Sequence, residues 1–113
     1  MEETGVDATL RIPEGTTEIA QRQFMNNAAV KHVHAPRSLR IIYPQAFENC
    51  PNLTTFVMEE GELERVGGWA FSNNPSLEMV VLPNVRDINI NAFEKCPKLE
   101  SVIIGERIFV LLG

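Results

Sequence analysis

Apolar residues recur along this chain at fixed offsets from four phenylalanines, Phe24, Phe47, Phe71 and Phe93, which stand 23, 24 and 22 residues apart. Six places after each Phe come Val30, Leu53, Leu77 and Leu99. Nine places after come Val33, Phe56, Val80 and Val102, and eleven places after come Ala35, Met58, Leu82 and Ile104. Five places before it come Ile19, Ile42, Val66 and Ile88. Eight places before it stand Leu39, Leu63 and Val85, with Thr16 the polar exception. The alternation at plus nine and plus eleven predicts a short strand with one buried face. A period in the twenties, held over most of the chain, marks a solenoid whose units bury their apolar faces only against one another.

The ends extend the pattern. Leu10 and Ile12 fall where the strand of a preceding unit belongs, so five strand rungs are expected: Leu10–Ile12, Val33–Ala35, Phe56–Met58, Val80–Leu82 and Val102–Ile104. Ile108 and Leu111 fit the minus-eight and minus-five places of a further unit. Strands about 4.8 Å apart make these five rungs a rod roughly 20 Å long.

The other columns follow from this packing. Ala46, Ala70 and Ala92 before the Phe leave room for the backbone to turn. The plus-three column reads Asn27, Cys50, Asn74 and Cys96, side chains that can lie inward and hydrogen-bond the turn backbone. Pro51, Pro75 and Pro97 follow it and fix the chain. A second set, Pro13, Pro36 and Pro83, ends strands.

Residues 82–102, LPNVRDINI-NAF-EKCPKLESV, follow I-P-x-x-V-x-x-I-x-x-x-A-F-x-x-C-x-x-L-x-x-V nearly throughout. This resembles the leucine-rich repeats of the BspA-like family, over about residues 10–112. The first copy departs from it, with Gln23, Asn27 and Ala28 in place of Ala, Cys and Pro. The resemblance implies a non-catalytic protein that binds other proteins, surface-exposed or secreted. It also implies an α/β-type repeat solenoid: a short leucine-rich-repeat stack with one parallel β-sheet of about five short strands, and turns or short helical segments on the opposite side.

At 113 residues the chain is read as a single domain, 1–113, of about four repeats of 22–24 residues with partial units at both ends. The net charge of −5 and scattered Lys and Arg argue against nucleic acid, whose phosphates call for clustered cations. Glu59, Glu60, Glu62 and Glu64 form the one charge cluster. They read as a solvated loop, since a calcium loop needs an Asp/Asn ladder and a turn Gly at fixed spacing. IFVLLG near the end is far shorter than a membrane span. The opening MEETGVDATL is acidic and polar, unlike a secretory signal, so a surface or secreted origin implies a signal removed from this chain. Residues 1–9 read as a cap or leader.

Candidate chemistry is sparse. Cys50 and Cys96 share a column two rungs apart, about 10 Å by strand spacing, too far for a disulfide. Both are expected reduced and buried. His32 and His34 flank Val33, so both point outward. Such a pair can bind a metal given a third ligand, but its neighbours Thr9, Arg11, Thr55 and Val57 offer no good one. No nucleophile–base pairing, phosphate loop or dinucleotide fingerprint stands out. The chain is read as no enzyme and as needing no cofactor. Gly67–Gly68 before Trp69 reads as a loose turn admitting a bulky ring, the alternative being an exposed aromatic anchor.

The outward strand positions carry the remaining signal: Thr9 and Arg11, His32 and His34, Thr55 and Val57, Met79 and Val81, Ser101 and Ile103. They run from polar to apolar. An apolar stripe of Val57, Val81 and Ile103 with Met79 on an outer face calls for a partner, for self-association, or for cover by another segment. The expected partner-binding residues are His32, His34, Thr55, Val57, Met79, Val81, Ser101 and Ile103. The uncharged end, Ile108 to Leu112, implies that the stack continues, that the end folds over the last rung, or that two chains meet there. The reading is a non-catalytic protein-binding module of a cell-surface or secreted, adhesin-like protein, with no nucleic acid and no membrane span. The alternative is an intracellular (cytoplasmic) interaction or self-assembly module. Self-association through the strand face or the C-terminal end fits either reading.

Overall fold

The computed structural model describes residues 8–110. Each repeat is cut twice by its own punctuation, once by the proline or glycine that ends the first strand and once by the turn at Ala-Phe. What remains between the cuts is short and extended. The strands are β1 (Thr9–Arg11), β2 (Glu18–Ile19), β3 (His32–His34), β4 (Ile41–Ile42), β5 (Thr55–Val57), β6 (Leu63–Val66), β7 (Met79–Leu82), β8 (Val85–Ile88), β9 (Ser101–Ile104) and β10 (Arg107–Val110).

They form two sheets. The first is ordered β1-β3-β5-β7-β9-β10, parallel from β1 to β9, and the second is β2-β4-β6-β8, parallel throughout. The five expected rungs are present, β1, β3 and β5 shifted one residue earlier and β7 and β9 opening one residue earlier. The next residues still bond onward: Ile12 N–H donates to His34 O at 3.0 Å and Ala35 N–H to Val57 O at 2.9 Å.

Two expectations are corrected. The expected single sheet is two, because the minus-five residues, joined in β6 and β8 by the minus-eight ones, form strands rather than turns. No helix occurs among the described residues, so the Ala-Phe side is built of turns alone. The reason is conformational. Arg22, Gln45 and Trp69, two places before the Phe, and Asn26, Asn49, Asn73 and Lys95, two places after it, all have φ between 54° and 65°. Left-handed residues this close together stop a helix before its costly first turn can propagate. They also aim backbone groups along the stack. Phe24, Phe47 and Phe71 N–H donate to Ala46, Ala70 and Ala92 O of the next rung at 2.7–2.8 Å, and Asn26, Asn49 and Asn73 N–H to Glu48, Ser72 and Glu94 O at 2.8–3.0 Å. The turns are thus a third hydrogen-bonded wall, and the alanines are small because they lie in it, fully buried.

The core is filled by the columns read from the sequence. Phe47, Phe71, Leu53, Leu77, Phe56, Val80, Met58 and Ile42 are fully buried. The four ring-column phenylalanines stack in sequence with centroids 5.1, 5.5 and 5.4 Å apart. In the plus-three column, Cys50 and Cys96 donate their thiols to Phe24 O and Phe71 O, one rung back, at 3.2 and 3.0 Å. Both are buried free thiols, and burial pushes their pKa up.

Gly67 is not part of a loose turn. A Cβ there would stand 2.6 Å from Pro44 N and 3.0 Å from its Cα, so two rungs meet backbone to backbone. Gly67→Ala should therefore cost about 1–3 kcal/mol by overpacking, read as a lower urea midpoint. Gly68→Ala, where the nearest atom lies at 3.5 Å, serves as the tolerant control.

The C-terminal end folds differently from the repeat. Ile108 does not take a minus-eight place in the second sheet. Gly105 and Glu106 form a two-residue turn, and β10 returns antiparallel along β9, pairing Ile108 with Ile103 and Val110 with Ser101. Gly105 has φ +62 as the first turn residue, where hairpin turns favour glycine. Leu111 and Leu112, and residues 1–7 of the expected cap, lie outside the described residues.

Candidate partner-binding face

The two sheets differ in what they turn outward. In the second sheet, register sets Glu18, Ile41, Arg65 and Asp87 in one file, three of the four being exposed and charged. Beside that file Arg40 pairs with Glu64, and at the crossover Arg37 pairs with Glu60. Two of the four clustered glutamates are thus matched by arginines one rung back. This is a solvated surface in which charge alternates.

The first sheet is otherwise. Its inward residues, Val33, Phe56, Val80 and Val102, are buried, so their strand neighbours face out. The register aligns them in two files. One runs Arg11, His34, Val57, Val81, Ile103, Ile108; the other begins Thr9, His32, Thr55, Met79, and Ser101 and Val110 stand on its last two strands. All eight residues expected from the sequence lie on this face. Val57, Val81 and Ile103 are half-buried and contiguous, and Met79 is 41% exposed beside them.

The sequence reading did not place Ile108 and Val110 here. They are 65% and 69% exposed and prolong the apolar stripe by one strand. The signal was present: Gly-Glu between SVII and RIFV is a hairpin signature. β10 extends the face along its edge and does not cover it.

At the other end the face is polar. His32 Nδ1 lies 2.9 Å from Thr55 Oγ1, across one rung. A shallow depression of about 190 Å³ opens among Thr9, Arg11, His32, His34, Thr55 and Glu59, with Val33 and Val57 also lining it. No group of three or more His, Cys, Asp or Glu stands placed to hold a metal among the described residues. Trp69 is exposed in its turn, away from the strand face, and its indole N–H donates to Glu94 Oε1 at 3.0 Å. No helix among the described residues is long and apolar enough to cross a membrane.

Stacked parallel rungs, one stacked Phe per turn and a hydrogen-bonded wall of turns define a leucine-rich-repeat solenoid. The chain belongs to the BspA-type leucine-rich repeat family: the family description, BspA type leucine rich repeat region (6 copies), fits residues 7–111. Among solved structures, the pneumococcal vaccine antigen PcpA is similar at 28% identity and TM-score 0.79, over 88% of this chain and 24% of that one. A leucine rich cell surface protein from Faecalibacterium prausnitzii shares the fold at 23% identity and TM-score 0.57, over 87% of this chain and 32% of that one. The chain therefore spans 24% and 32% of these two solved proteins. No curated protein matches it in sequence.

Proposed function

We propose that this chain is a non-catalytic protein-binding module of a cell-surface or secreted protein, and that it binds through the outer face of the first sheet. The observation that carries this is the in-register apolar stripe Val57–Val81–Ile103 on a face that nothing among the described residues covers. The residues assigned to contact are His32, His34, Thr55, Val57, Met79, Val81, Ser101 and Ile103. The apolar ones supply desolvated area and the polar ones fix register. The kind of protein to which the two solved neighbours belong supports the surface location.

The test is an array of purified secreted and surface ectodomains probed with the chain. Val81→Asp with Ile103→Asp should remove bound signal at unchanged thermal melting, because a charge enters a desolvated stripe without touching the core. Signals kept by the double variant would locate binding elsewhere on the molecule.

A second reading, self-association, is favoured by β10. Its Ile108, Phe109 and Val110 are 65%, 45% and 69% exposed on an edge strand, a template for another edge. Light scattering across a concentration series should then report a dimer that Ile108→Lys with Val110→Lys returns to monomer. A monomer at every concentration removes this reading.

A further inference from the structure

The first sheet's outer face is divided along its length, and the division points to the chemistry of what it holds. We propose that it receives an extended segment of another protein, lying across the strands, with a carboxylate side chain over the first two rungs and apolar side chains over those that follow. This rests on the reading of that face as the binding face and adds the partner's chemistry.

At the first two rungs the face presents donors. Arg11 and His34 are register partners, and His32, its Nδ1 near Thr55 Oγ1, lines with them the depression they share. A guanidinium and imidazole N–H groups are what a carboxylate accepts from, and the arginine can bind both oxygens. The depression, about 190 Å³, takes one such group and little more. Glu59 is the one acid that lines it, which assigns the carboxylate to the Arg11 end. On a chain of net charge −5 this donor cluster is a local exception, and so it selects where an acidic segment lies.

From the third rung onward the same file is Val57, Val81, Ile103 and Ile108. Rungs repeat every ~4.8 Å and an extended chain advances ~3.3 Å per residue, with alternate side chains on one side. A carboxylate between Arg11 and His34 therefore places the side chains two and four residues along over Val57 and Val81, in either chain direction. The expected segment is acidic, any, apolar, any, apolar. A basic segment meets Arg11, and a wholly apolar one brings no acceptor to Arg11 and His34.

Random twelve-residue peptides displayed on phage and selected on the immobilised chain test this. The selected sequences should carry Asp or Glu two and four residues from apolar side chains. A synthetic peptide of that consensus should lose roughly tenfold in affinity on Arg11→Glu, or when its acid becomes Asn, as for a direct charged contact. It should also lose its binding on Val81→Asp. Both protein positions face outward, and thermal melts check that the variants fold. Peptides that need Val81 but carry no acid and ignore Arg11→Glu would overturn this inference while leaving the face as the binding face. Peptides indifferent to Val81→Asp, or a selection with no face-binding peptide, would overturn both.

Discussion

Phe71→Ala should lower unfolding free energy by about 3–5 kcal/mol, the largest loss expected from truncating any single apolar side chain here. The ring is fully buried. It stacks on Phe47 and Phe93 at 5.5 and 5.4 Å and meets the edge of Phe56 at 4.9 Å. Neighbouring rungs cannot close on the hole, because the turn wall and two ladders fix their spacing on three sides. In a solenoid each unit is stable only through its neighbours, so a hole at the centre weakens both interfaces. Total stabilities of about 5–15 kcal/mol make this a large fraction. Urea unfolding measures it, with Phe24→Ala and Phe93→Ala as controls. Those rings end the stack, are half-buried and each stack on one ring of the column, so each should cost clearly less. Equal losses at all three positions would refute the account of a stack strongest at its middle.

The column residues were legible because each performs the same task in three or four of the rungs. A Phe that stacks, an Ala that admits a neighbouring backbone and a Cys or Asn that reaches a carbonyl must recur, and recurrence is visible in sequence. The second sheet was harder to read. In β6 the buried residues are Leu63 and Val66, three apart, which breaks the two-residue alternation that announces a strand. The left-handed turns had a signal that went unused, the run of Asn26, Asn49 and Asn73 two places after the Phe, since Asn tolerates that conformation best after Gly. Gly67 looked permissive and is restrictive, because what it approaches, Pro44, lies 23 residues away on the preceding rung. The candidate face was legible as a set of outward positions. Its composition obeys no column, since no structural task fixes it. The change from Arg11 and His34 to Val57, Val81 and Ile103 was legible as a trend along the outward positions, and the register places them in one file.

Asn74→Ala should cost about 3–5 kcal/mol, as much as the loss of a core aromatic, although only a small polar group is removed. Asn74 is fully buried and its amide serves three backbone groups. Its Oδ1 accepts from Cys50 N–H at 2.6 Å, and its Nδ2 donates to Phe47 O at 3.1 Å and to Phe71 O at 2.8 Å. Phe71 O also accepts from the Cys96 thiol, whereas Cys50 N–H has no second acceptor in this arrangement. Truncation leaves buried backbone groups unpaired, each at about 1–3 kcal/mol. Asn74→Cys should recover part of the loss. A thiol at this place can reach Phe47 O as Cys50 reaches Phe24 O, but it offers Cys50 N–H no comparable acceptor. Asn74→Leu should be no better than Ala, since added apolar volume satisfies none of the three groups. The expected order of urea midpoints is Asn, then Cys, then Ala and Leu together. If Leu matched the parent chain, the column would be a packing position, and the alternation of Asn with Cys would need another cause. If Cys matched it, the bond to Cys50 N–H would carry no weight, and the connection from rung to rung would rest on the Phe carbonyls alone.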